Sequence, residues 1–118
     1  MQEQRQITIN DLITTIKKNN RRTDLRLVSK AYNYALSYHG DQKRKSGEPY
    51  IIHPLNVANI LAGLSLDTAT VCAALLHDVV EDTKATREDL IKEFGKEITE
   101  IVDGVTKLQK LQYTRAKI

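Results

Sequence analysis

The chain has 118 residues, 41% apolar and 28% charged, with a net charge of +3 at neutral pH. That length suits one domain with a single core, and no run approaches the ~18 apolar residues that a membrane helix needs. A single cysteine excludes a disulfide framework and fits a reducing cytoplasm.

Helical spacing runs through the whole sequence. Ile9, Leu12, Ile13 and Ile16 follow the i, i+3, i+4, i+7 rule, with Thr8 placed to cap the first helix. Asn19-Asn20-Arg21-Arg22 breaks it. A second helix is predicted over Asp24 to His39, with Val28, Ala31, Tyr32, Ala35 and Tyr38 inward and Gly40 closing it. Residues 41–50 (DQKRKSGEPY) read as a loop from Gly47 and Pro49. Pro54 suits the first turn of a third helix, which leaves His53 at its N-terminal edge. That helix carries Leu55, Val57, Ala58, Ile60, Leu61 and Leu64. Asp67 caps a fourth helix, Thr86 and Asp89 form a capping box for a fifth that ends at Gly95, and Ile98, Ile101, Val102 and Val105 mark a sixth. Strand alternation is missing throughout. The predicted fold is all-α, one domain over 1–118, with about six helices. The N-terminus, MQEQRQITIN, lacks the basic-then-apolar order of a secretory signal.

The most informative segment follows the apolar stretch ATVCAALL (Ala69 to Leu76), where Cys72 reads as a small buried hydrophobe. His77-Asp78 and Glu81-Asp82 come next. On a continuous helix they fall at about 0°, 100°, 40° and 140°, on one face. Burying an imidazole beside three carboxylates is costly without compensating positive charge. A divalent cation supplies it, since imidazole nitrogen and carboxylate oxygen both ligate Zn, Mn or Fe. The alternative is a helix end that reached solvent, although negative charge at a C-terminus opposes the helix dipole. His53 is either a hydrogen-bonded helix-start residue or a further ligand. His39 reads as a dipole-complementing or core-bonded residue. Lys43-Arg44-Lys45, ahead of Ser46, could hold phosphates or stack on a base. Without a long basic stripe and interleaved aromatics, an anionic ligand fits better than nucleic acid.

Taken together, RKSGEPYIIHP (Arg44 to Pro54), LLHDVVEDT (Leu75 to Thr83) and DGVTKL (Asp103 to Leu108) closely resemble the RelA/SpoT homologues. The similarity is to their N-terminal hydrolase domain, a helical bundle of the HD type. It implies a metal-dependent enzyme that removes the 3′-pyrophosphate of (p)ppGpp, giving GDP or GTP plus pyrophosphate. It implies His53, His77 and Asp78 as metal ligands with Mn²⁺ the usual ion. It implies Glu81 and Asp82 as the pair that activates water, and Arg44, Lys45 and Ser46 as the guanine-binding loop. The family's fourth ligand, a later aspartate, lies past the last residue here; Asp89 and Asp103 do not match it. The resemblance thus makes the chain the first part of a hydrolase domain, incomplete at the C-terminus, whose parent also carries a synthetase domain. By itself the chain is expected to bind metal weakly and turn over poorly. Apolar surface left uncovered on the third and fourth helices is expected to drive a homodimer. The competing readings are another HD-type nucleotide phosphohydrolase and a metal-poor regulatory module.

Overall fold

Local capping starts most of the helices. The Thr8 hydroxyl accepts the Asp11 N–H while the Asp11 carboxylate accepts the Thr8 N–H, which opens α1 (Ile9–Asn19). The Asp24 carboxylate takes the N–H groups of Arg26 and Leu27 and opens α2 (Leu25–His39). Helix α3 (Ile52–Gly63) has no side-chain cap. Asp67 caps α4 (Thr68–Leu76), a single turn forms α5 (Val79–Asp82), and the Thr86–Asp89 box opens α6 (Arg87–Phe94). Gly95, at φ +90°, occupies the left-handed region that a side chain disfavours, and turns the chain into α7 (Lys96–Ala116). This computed structural model describes residues 6–116. Residues 1–5, part of the segment read above for a secretory signal, and 117–118 lie outside the described residues.

The all-α architecture matches the expectation from helical spacing. Among the described residues the sole strand-like feature is one antiparallel bridge between Lys43 and Pro49. No described helix is long and apolar enough to cross a membrane. Among the described residues seven helices replace the expected six, because the fourth divides at His77-Asp78 into α4 and α5.

The core is built around α4. Val71 to Leu76 are all buried, because α2, α3 and α7 pack around that helix. Full burial of one Leu side chain contributes about 1.5–3 kcal/mol. Leu75 and Leu76 on α4, with Leu12, Ile16 and Leu55 from α1 and α3, therefore fix these helices against one another. The expectation that α4 would be left uncovered is corrected: its residues are enclosed. Helix α3 does expose apolar side chains, with Ile60 64% and Leu64 66% accessible. Tyr38, expected inward, is exposed; its place on the inner face is taken by Ala31, Ala35 and His39. Two tethers hold the α3–α4 turn to the end of α1. The Ser65 hydroxyl donates to the Asn19 carbonyl at 3.0 Å, and the Asn20 amide reaches the Ser65 carbonyl at 3.5 Å.

Candidate metal centre and adjoining basic loop

Packing of α3 on α4 brings His53, in the first turn of α3, to the end of α4. His53, His77 and Asp78 each offer one ligand atom within 4.8 Å of the others. His77 Nε2 lies 3.2 Å from Asp78 Oδ2, and His53 Nε2 lies 4.0 Å from the same oxygen. The two imidazole rings meet edge to face, with centroids 5.3 Å apart. An ion with ~2.1 Å bonds spaces its ligand atoms roughly 3.0 Å apart when adjacent and 4.2 Å when opposite. Sub-ångström adjustments bring the observed separations into that range.

The donor set fits a cation for a further reason. His77 Nδ1 donates to the Ala74 carbonyl at 2.5 Å, which fixes the ring and turns Nε2 toward Asp78. His77 is buried, and its Nε2 faces the carboxylate in ion-pair rather than hydrogen-bond geometry. An Nε2 lone pair against a carboxylate oxygen at 3.2 Å is repulsive unless a proton or a cation lies between them. Burial disfavours the charged imidazole of His77, but the adjacent Asp78 carboxylate and the Ala74 carbonyl outweigh it and raise its pKa. Burial likewise works against the Asp78 carboxylate, yet the His77 contact and the positive field of the histidines hold its pKa below the ordinary value. His53 moves the other way: burial first, then Arg44 and His77, lower its pKa and favour the neutral, ligand-competent ring.

The expected single face bearing His77, Asp78, Glu81 and Asp82 is corrected here. The helix breaks at His77-Asp78, and Glu81 and Asp82 sit on the separate turn α5. The reason is local. The Ala74 carbonyl, which would accept the Asp78 N–H in a continuing helix, takes the His77 ring instead. Glu81 and Asp82 are exposed, and Asp82 is anchored at two points. The Tyr50 hydroxyl donates to Asp82 Oδ2, and the Gln42 amide donates to the Asp82 carbonyl at 3.0 Å.

The basic loop is a compact turn closed by its backbone. Arg44 N–H donates to the Glu48 carbonyl, Gly47 N–H to the Arg44 carbonyl and Tyr50 N–H to the Gln42 carbonyl. Gly47, at φ +88° with open space around it, is required by backbone conformation rather than by crowding. Lys43, Arg44, Lys45 and Ser46 line a cleft with Glu48 and Tyr50, and the charges of Arg44 and Glu48 are felt at His53. His39 is core-bonded, as expected. It is buried, its Nδ1 lies 3.1 Å from Gln42 Oε1, and its ring stacks on Tyr50 at 4.5 Å. Motif reading assigned no role to Tyr50 or Gln42, although Tyr50 stands inside RKSGEPYIIHP. The two later aspartates are engaged elsewhere: Asp89 caps α6, and Asp103 pairs with Arg87 at 2.8 Å.

The pattern of the HD domain matches residues 31–117. The chain belongs to the HD-domain family. Among relatives of this HD domain, a guanosine-3′,5′-bis(diphosphate) 3′-pyrophosphohydrolase of Aquifex aeolicus is 54% identical over 86 residues, 73% of the chain. A GTP pyrophosphokinase rsh of Brucella ovis is 54% identical over 91 residues, 77% of the chain. A GTP pyrophosphokinase of Myxococcus xanthus is 55% identical over 87 residues, 74% of the chain. The matched segment is 12% of the length of each of these relatives. The resemblance of this HD domain to the RelA/SpoT homologues is thereby established.

Proposed function

We propose that this HD domain supplies the metal-holding and base-binding part of a (p)ppGpp 3′-pyrophosphohydrolase. The observation that carries the reading is the convergence of His53, His77 and Asp78 within 4.8 Å, with Arg44 of the basic loop near enough to help lower the His53 pKa. The 54% identity to a relative bearing that activity in its name supports it. His53, His77 and Asp78 would hold a divalent ion, Mn²⁺ in this reading. When bound, such an ion acidifies water and neutralises charge developing on phosphoryl oxygens.

The protein's own residues do the rest. Arg44 offers a planar guanidinium that can stack on guanine, Lys45 adds positive charge, and the Ser46 hydroxyl can bond the base edge. Glu81 and Asp82 orient the attacking water and accept its proton. Water oxygen bonds to the phosphorus attached at the 3′ oxygen, the bond between them breaks, and the 3′ oxygen leaves as a hydroxyl once protonated. The products are pyrophosphate and GDP or GTP. In this reading the protein works in the cytoplasm on a free nucleotide.

The test is release of pyrophosphate from (p)ppGpp in Mn²⁺, run on the 118-residue chain and on the complete gene product that contains it. Glu81→Gln should lower kcat on the order of 10²-fold, and Arg44→Ala should chiefly raise KM. Preferential hydrolysis of a nucleotide without a 3′-pyrophosphate would reject the substrate and leave another HD-type phosphohydrolase. Pyrophosphate release unaltered by Glu81→Gln would reject the role of that residue.

A further inference from the structure

Asp82 is held at two points by groups from the basic loop, which is an unusual degree of anchoring for an exposed carboxylate on a one-turn helix. The Tyr50 hydroxyl donates to its Oδ2, and the Gln42 amide donates to its backbone carbonyl. Both holding residues are themselves fixed. The Tyr50 ring lies on the buried His39 ring, with centroids 4.5 Å apart and planes 18° from parallel. His39 Nδ1 donates to Gln42 Oε1, which leaves the Gln42 amide nitrogen to face Asp82. The backbone closes the circuit, since Gln42 N–H donates to the His39 carbonyl and Tyr50 N–H to the Gln42 carbonyl. Residues from the end of α2, both ends of the loop and α5 thus form one ring of contacts.

We propose that Tyr50 is a positioning residue which, with Gln42 and His39, clasps Asp82 and joins the base-binding loop to the turn carrying the water-activating carboxylates. This deepens the hydrolase reading and rests on it for the roles of Arg44 and Asp82. The hydroxyl engages Oδ2 alone, so Oδ1 stays available to a water molecule while rotation of the carboxylate is blocked. Burial, then the hydrogen bond to Asp82, push the Tyr50 hydroxyl above its ordinary pKa, so it remains the donor at neutral pH. A loop that shifts when a base enters moves Tyr50 with it, and the carboxylate follows. The clasp therefore transmits occupancy of the basic cleft to the orientation of Asp82.

Three variants test this. Tyr50→Phe keeps the stack on His39 and removes only the hydroxyl; Tyr50→Leu removes both; Gln42→Ala releases the backbone strap and also takes the partner of His39 Nδ1. In the metal-free protein, amide exchange is measured at Thr83, which bonds Val79, and at Tyr50, which bonds Gln42. Tyr50→Phe should speed exchange at both amides together, by about 10-fold, because loosening one side of the clasp loosens the other. In the complete gene product with Mn²⁺, Tyr50→Phe should lower kcat by about 10- to 100-fold, as expected when a reacting group loses its orienting partner. KM should stay within about threefold, and Tyr50→Leu should be worse than Tyr50→Phe. Exchange that changes at Tyr50 alone, or in neither place, overturns the clasp. A Tyr50→Phe enzyme with unaltered kcat and raised KM overturns the positioning role and makes Tyr50 a substrate contact. If the unsubstituted gene product releases no pyrophosphate from (p)ppGpp, the hydrolase reading fails, and the positioning role falls with it. The exchange result still decides whether the clasp exists.

Discussion

Replacing Asp78 by Asn tests the metal centre with the smallest change of shape. The amide matches the carboxylate in size, but it brings no charge and one oxygen in place of two. In the structure Asp78 Oδ2 is the point common to both histidines, 3.2 Å from His77 Nε2 and 4.0 Å from His53 Nε2. Loss of a direct ligand should weaken the ion at least as much as the upper end of the 10–100-fold seen when a ligand's supporting group is removed. At a Mn²⁺ concentration 100 times the dissociation constant, binding stabilises the unsubstituted protein by about 2.7 kcal/mol. At the same concentration a variant bound 100-fold more weakly gains roughly 0.4 kcal/mol. For 118 residues the unfolding entropy is about 250 cal/mol/K, so 1 kcal/mol moves Tm by about 4 °C. The metal-induced rise should therefore be about 11 °C in the unsubstituted chain and about 2 °C in Asp78→Asn. The assay is thermal unfolding followed by circular dichroism, with and without Mn²⁺, each protein compared with its own metal-free form. Asp103→Asn, at a carboxylate paired with Arg87 outside the cluster, is the control and should keep the full rise. A rise in Asp78→Asn equal to that of the unsubstituted chain would refute the assignment, as would equal losses in both variants.

Leu75→Ala, at a fully buried position on α4, should cost about 2–5 kcal/mol in urea unfolding; a loss under about 1 kcal/mol would mean that α4 is not the centre of the core. Burial, reinforced by Asp24 and Asp67, pushes the Cys72 thiol up to about 12. Alkylation at pH 8 should therefore track global unfolding, and rapid labelling of the native protein would contradict its enclosure. The Asp67 carboxylate caps α4, and its bonds to Thr70 hold its pKa below the ordinary value. The stability it adds is present above about pH 4 and lost as pH falls through the lower folded-state value. Asp67→Asn keeps the cap and should flatten that acid limb in urea midpoints taken from pH 5 to 2; an unchanged slope would count against it.

How much of this was legible in the sequence depends on how far apart the interacting groups stand. Caps are contacts over three residues, so Thr8, Asp67 and the Thr86–Asp89 box could be read directly, and each opens the helix expected of it. The motifs around His53 and His77-Asp78 named the metal-competent set. The structure brings those three side chains together.

Other features were not legible. Periodicity carried the fourth helix through Asp82, because an alternation of apolar and polar residues cannot show a side chain competing for a backbone carbonyl. The His77 ring on Ala74 breaks the helix there. Tyr38 was placed inward on spacing alone, whereas the space beside α2 is filled by small residues and His39. The clasp on Asp82 lay out of reach for the same reason, since Tyr50 and Asp82 stand 32 residues apart. The sequence by itself determined where helices start, which faces are apolar and which side chains can ligate a cation. Only the tertiary structure decided where α4 ends, how closely His53 approaches Asp78 and what holds Asp82. Those are set by packing of α2, α3 and α7 around α4 and by hydrogen bonds that close once distant segments meet, and helical periodicity carries no record of such contacts.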